Sequence, residues 1–94
     1  MFESSNIADV VYAAKDDLDI ADDLIRSYLP FIKAKTSDII KKSVDDNTEE
    51  LSIAMLGFHE AMRTYDKFKG NFLNYAQTVM KSRIIDTYLI IWPP

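Results

Sequence analysis

From residue 51 to 65 the apolar positions follow one another at intervals of three and four: Leu51, Ala54, Met55, Phe58, Ala61, Met62 and Tyr65. At about 100° per residue they fall on one stripe of a helix. This is the clearest periodicity in the chain. Ser52, His59 and Arg63 share a neighbouring polar face, and Ile53 and Leu56 lie off the stripe. Two aliphatics off the core face either sit under the preceding helices or form a second contact surface. Asn47 and Glu50 are spaced as an Asn-led capping box, so this third helix is predicted to open there. Asp66-Lys67-Phe68-Lys69-Gly70 reads as a turn, with Gly70 free to take a positive φ. Asn71 then caps a fourth helix. Its core stripe is Phe72, Leu73, Ala76, Met80 and Ile84. Asn74, Thr78, Lys81, Ser82 and Ile85 point the other way, with Tyr75 and Val79 at the margin. Pro93 disfavours helix at Trp92, so the fourth helix is predicted to fray by about residue 90.

Upstream, Ser4 or Ser5 is predicted to cap a first helix carrying Ile7, Val10, Val11 and Ala14. The run Asp16-Asp17-Leu18-Asp19 breaks it, because clustered aspartates compete for backbone hydrogen bonds. Asp19 is the expected cap of a second helix with Ile25, Tyr28, Leu29, Ile32, Ile39 and Ile40 along one broad face. Pro30 falls inside that pattern. A kink is expected there, with two helices meeting at Leu29-Pro30 as the alternative. The polar run from Ser43 to Thr48 closes the segment. The predicted division is therefore an N-terminal helix over 1–18, a second helix over 19–46 kinked near Pro30, a helix-turn-helix unit over 47–90 and a tail over 91–94. There is no internal repeat, low-complexity segment or dividing linker.

Composition narrows the class. Ninety-four residues make one domain, and a chain this short buries roughly 60–65% of its unfolded surface. That supports one small core and no deep, enclosed active site. Two glycines and three prolines leave little β-hairpin punctuation. The expected fold is all-α, a compact single-domain bundle of about four helices. The absence of cysteine excludes disulfide frameworks and thiol chemistry. No basic segment followed by an apolar run opens the chain, and no apolar stretch approaches the ~20 residues of a membrane span. The expected compartment is the cytoplasm, with no direct membrane insertion.

Charge is uneven. Residues 1–66 hold seven Lys/Arg against fourteen Asp/Glu, while residues 67–94 hold four against one. That is an acidic body with a basic C-terminal third, although a small domain can acquire such a split by accident. No catalytic constellation accompanies it. The sole histidine, His59, has no Glu three residues before it, so the di-iron pattern of helical bundles is missing. The aspartates at 16, 17, 19, 22 and 23 do not match a calcium loop. Gly70 stands alone, without a phosphate-cradling loop, and no nucleophile is paired with a base. No enzymatic activity, cofactor, metal or small-molecule substrate is expected.

The ordered residues do carry a pattern. Leu24-Ile25-Arg26-Ser27-Tyr28-Leu29-Pro30-Phe31-Ile32 is followed by Glu50-Leu51-Ser52-Ile53-Ala54, Phe58-His59-Glu60-Ala61-Met62 and Tyr65-Asp66-Lys67. Gly70-Asn71-Phe72, Tyr75-Ala76 and Arg83-Ile84-Ile85-Asp86-Thr87-Tyr88 complete it. Over about residues 20–89 this resembles region 2 of bacterial sigma factors of the sigma-70 type, most of all the sigma-I branch of Bacillus and clostridia. The resemblance implies a domain that docks on the clamp helices of the RNA polymerase β′ subunit, binds the −10 promoter element and helps to open the duplex. It implies polymerase contact from the third helix, carried over to Glu49, Glu50, Ser52, Leu56 and His59. It implies promoter contact from the fourth, at Tyr75, Thr78, Lys81, Ser82 and Arg83.

Plainer roles exist for several of these residues. Glu49 and Glu50 also suit the positive end of a helix. Tyr75 also covers the core margin, and Lys81 is also an ordinary solvated charge. Arg83 lies near the core stripe, where an intramolecular ion pair, with Asp86 as the expected partner, or snorkelling competes with base contact. The sequence departs from the pattern twice. Primary factors have adjacent tryptophans where this chain has Thr78 and Val79, and Ile90-Ile91-Trp92-Pro93-Pro94 replaces the basic residues that follow in the family. The domain that reads the −35 element is also missing from these 94 residues. The chain is expected to be either part of a longer factor or a truncated product. Two alternatives follow: a sigma-like interaction module that binds polymerase or an anti-sigma factor without promoter recognition, and a helical dimer joined through Leu89 to Trp92.

Overall fold

The computed structural model describes residues 7–91, with side chains to residue 87. The order is α1 (Ile7–Ala14), α2 (Leu18–Ser27), α3 (Leu29–Ile40), α4 (Glu49–Thr64), a 3-10 turn (Lys67–Lys69) and α5 (Phe72–Ile91). The described residues are all-α. The Ser4/Ser5 cap and the side chains of the expected Leu89–Trp92 patch lie outside what is described. At its other end α5 runs to Ile91, one residue past the expected fraying point.

The local chemistry at each break decides the boundaries. Asp17, not Asp19, caps α2: its backbone is extended, and its carboxylate accepts from the N–H groups of Asp19 at 2.9 Å and Ile20 at 3.3 Å. Asp19 sits in the first turn, where its charge suits the helix dipole. At Pro30 the structure selects two helices over a kink. Tyr28 leaves helical geometry at φ −101°, ψ 12°, and Pro30 falls in the first turn of α3. There its missing N–H has no partner to lose. α4 is capped one residue later than expected, at Thr48 rather than Asn47. The Thr48 hydroxyl is turned back to the loop, where it accepts from Asp45 N–H at 2.9 Å. The αL residue Lys41 ends α3, and its N–H donates to Ser37 C=O at 2.8 Å. Asn71 caps α5 as expected, accepting from Asn74 N–H at 3.1 Å.

α4 and α5 form an antiparallel hairpin, and the other helices pack around it. The core stripe of α4 is buried as read, except that Met55 is half-buried and Gly57 takes a place in the interior. The α5 stripe is buried at Phe72, Ala76, Met80 and Ile84, with Leu73 half-buried. In α2 the buried residues are Ala21 and Leu24 rather than Ile25. Across the break at Tyr28 the expected apolar face still meets the core: Ile32 is buried, and Ile25, Tyr28, Leu29, Ile39 and Ile40 are half-buried against it.

Aromatic rings tie the elements together. Phe58 stacks with Tyr28 at 6.2 Å between centroids and meets Phe72 edge-on at 5.5 Å. Phe72 meets Tyr65 edge-on at 5.2 Å. Tyr65 contacts Tyr12 of α1 and Tyr75 of α5 at 6.0 and 5.9 Å. Each ring pair of this kind adds about 0.5–1.5 kcal/mol beyond area burial.

Two further contacts set the hairpin. At Gly57 a Cβ would lie 3.0 Å from the backbone Cα of Met80. Farther along, Arg83 of α5 reaches Glu60 of α4 with two hydrogen bonds, Nε to Oε1 at 2.7 Å and a second guanidinium nitrogen to Oε2. Asp86 stands 4.0 Å from the same guanidinium. Hydrogen bonding by Arg83, then its charge, holds the Glu60 carboxyl below its ordinary range. The same bond raises Arg83.

Gly57→Ala gains about 1 kcal/mol of helix propensity but forces two backbones apart, an overpacking cost of about 1–3 kcal/mol. The expected outcome is a lower urea midpoint than wild type. Glu60→Gln is expected to lower the midpoint at pH 7. Because the folded carboxyl is depressed, the pair's contribution is complete above the unfolded carboxylate range and is lost as pH falls through the lowered folded value. Urea titrations from pH 7 to pH 3 should show the wild-type advantage over Glu60→Gln shrinking.

Candidate functional site

The hairpin leaves two outer edges. On α4, Glu49, Ser52, Leu56 and His59 recur at intervals of three and four, on the side turned from the core. Helix α2 completes that edge. Leu18, Asp22 and Ile25 face Ser52, Met55, Leu56 and His59 across an open groove of about 460 Å³. Its apolar walls are unusually bare, with Leu18 73% and Leu56 70% exposed. The structure thus brings three residues read from the sequence, Ser52, Leu56 and His59, into one groove. Glu49 and Glu50 stand in the first turn of α4. The two off-stripe aliphatics separate: Ile53 packs on the core margin, and Leu56 is open to solvent. Sequence reading missed the α2 wall. Leu18 lies among aspartates, and only the bundle's packing sets it opposite Leu56.

The second edge runs along α5. Thr78, Lys81 and Ser82 are exposed, and Thr78 hydrogen-bonds its own helix at Asn74 C=O, 3.2 Å. Tyr75 is half-buried, its hydroxyl 2.6 Å from that of Thr64. Its ring has Lys69 Nζ 5.4 Å from the centroid. Arg83 is occupied by Glu60, so the intramolecular ion pair is present with Glu60 as the main partner and Asp86 more distant. Thr78, Val79, Ser82 and Arg83 line a shallow groove of about 260 Å³ with Glu60 and Asp86. This edge offers one unengaged cation, Lys81, in the sense that no ion pair holds it among those described.

The turn between the helices carries an exposed aromatic ring. Phe68 is 90% exposed at its tip, between Lys67 and Lys69. Lys67 Nζ lies 5.8 Å from the Phe68 ring centroid. Asp66 accepts from Phe68 N–H at 2.8 Å, and Gly70 takes φ +85° as expected. The signal was legible: an aromatic between two lysines in a turn has no core to enter. Among the described residues no group of three or more His, Asp or Glu could hold a metal, and no helix is long and apolar enough to cross a membrane.

No protein-family model matches the chain. Several curated proteins do. The RNA polymerase sigma factor SigI7 of Acetivibrio thermocellus is 42% identical over 79 residues, 83% of this chain and 34% of that protein. SigI of Bacillus subtilis is 36% identical over 73 residues, 77% of this chain and 29% of that protein. SigI3 of Acetivibrio thermocellus is 40% identical over 72 residues, 74% of this chain and 29% of that protein. The chain spans about a third of the length of these relatives. The match runs through most of this chain in proteins of one kind, and the described fold is the all-α one that the resemblance implied. The chain belongs to the sigma-I group of RNA polymerase sigma factors.

Proposed function

We propose that residues 1–94 act as a region 2 domain of a sigma factor. The α2–α4 groove docks on the β′ clamp helices of core polymerase, and the α5 edge with the 3-10 turn meets the −10 promoter element. The observation that carries this reading is the groove itself. It gathers Ser52 and His59 around two bare leucines, Leu18 and Leu56, with Asp22 on the α2 wall and Glu49 one turn before Ser52. Fully burying one such leucine contributes about 1.5–3 kcal/mol, so the pair supplies the apolar centre of a contact with a partner helix. The acidic side chains fit a basic one.

On the other edge the chemistry suits unpaired nucleic acid. Phe68 offers a bare ring, and an aromatic contributes about 1–3 kcal/mol for each base stacked on it. Lys67, Lys69 and Lys81 supply positive charge for phosphates, which makes the binding salt-dependent. Tyr75 and Arg83 are partly engaged within the protein, so they are weaker participants than the turn. That engagement also favours, as a second reading, an interaction module that binds polymerase or an anti-sigma protein and leaves DNA alone.

Leu56→Asp is expected to abolish the complex with core polymerase at micromolar protein while leaving the urea midpoint near wild type, since the side chain stands outside the core. Charge reversal at Glu49 and Glu50 should weaken the same complex. Normal polymerase binding by both variants sinks the docking assignment. With polymerase present, Lys81→Glu should weaken binding to −10 single strands and flatten the salt slope by about 1. Binding that ignores both Lys81→Glu and salt selects the second reading.

A further inference from the structure

α1 touches the hairpin at the place where α4 ends. Lys15, just past α1, donates from its ammonium to the carbonyls of Arg63, at 3.3 Å, and Tyr65. The last carbonyls of a helix lack intrahelical partners, and a cation is favoured beside them. One turn earlier, the Tyr12 hydroxyl accepts from the backbone N–H of Lys67 at 2.8 Å. The Tyr12 ring lies against Tyr65, and Lys15 Nζ is 5.3 Å from its centroid. These contacts join residues about fifty positions apart in the chain.

What they hold is a turn with little packing of its own. Phe68 is almost wholly exposed, and nothing lies within 4 Å of where a Cβ on Gly70 would be. The turn's shape rests on hydrogen bonds. Four are internal: Phe68 N–H to the Asp66 carboxylate, Lys69 N–H to Asp66 C=O at 3.0 Å, Gly70 N–H to Lys67 C=O at 3.4 Å and the Tyr65 hydroxyl to Gly70 C=O at 2.6 Å. The others come from α1.

We propose that Tyr12 and Lys15 are positioning residues for promoter binding. They fix the end of α4 and the start of the 3-10 turn, so that Phe68 and its flanking lysines are presented to DNA already ordered. α1 thereby serves the DNA edge without touching DNA. The inference rests on the reading of that turn as a DNA contact. Pre-ordering raises affinity because binding no longer has to freeze the loop. Loss of one such hydrogen bond corresponds to a roughly 2- to 10-fold loss of DNA affinity.

Two measurements on the full 94-residue chain test it. The first is amide exchange at Lys67. Tyr12→Phe removes the acceptor and keeps the ring, so exchange at Lys67 should accelerate about 10-fold while the Met62 amide in the core is unchanged. The second is binding to promoter DNA with an unpaired −10 segment, with polymerase core present. Tyr12→Phe and Lys15→Met should each weaken it roughly 2- to 10-fold, Lys15→Arg should restore it, and affinity for polymerase alone should stay the same. If Phe68→Ala weakens DNA binding and Tyr12→Phe does not, the bracing role is overturned. The same holds if Lys67 exchange is unaffected in Tyr12→Phe. If Phe68→Ala itself leaves DNA binding unchanged, the DNA assignment of the turn fails, and the positioning role for promoter binding fails with it.

Discussion

The close approach of α4 and α5 at Gly57 governs the rest of the structure. With no side chain there, the Met80 backbone comes within contact distance of the position a Cβ would occupy. Phe58, the next residue, is then locked between Tyr28 and Phe72. From Phe72 the ring contacts pass through Tyr65 to Tyr12 and Tyr75. One missing methyl thus sets the spacing of the hairpin, and the aromatic chain transmits that spacing to α1, to the α2–α3 junction and to the turn.

The two outer edges follow from that packing. Once the inner stripe of α4 faces α5, Leu56 must face away, and α2 supplies a second wall beside it at Leu18. Once α5 lies on its own stripe, Thr78, Lys81 and Ser82 must face solvent. Glu60 and Arg83 close the hairpin on one flank, which removes Arg83 from the set of free cations. At the end of the hairpin the chain reverses over only a few residues. Phe68 is left outside, with lysines on both sides.

Much of this was legible in the sequence where one helix alone decides the outcome. The inner stripes of α4 and α5, the turn at Gly70 and the Asn71 cap depend on spacing and local side-chain chemistry. What was not legible depends on contacts between helices. Gly57 carries no hydrophobic signal, and its burial exists only because α5 comes so close. Leu18 looked like part of an acidic turn until α2 was set beside α4. The partner of Arg83 lies 23 residues away in Glu60, whereas sequence proximity points to Asp86. The caps at Asp17 and Thr48 were displaced by two residues and one. In acidic or polar runs several side chains compete for the same few N–H groups, and backbone geometry selects among them.

Separation of the two edges is the central claim, and site-specific photo-crosslinking in an assembled polymerase–promoter complex tests it most directly. A photoreactive side chain placed at residue 56 should label a polymerase subunit and no DNA. The same group at residue 68 should label the promoter strand across the −10 element. Labelling of DNA from position 56, or of polymerase alone from position 68, would contradict the account.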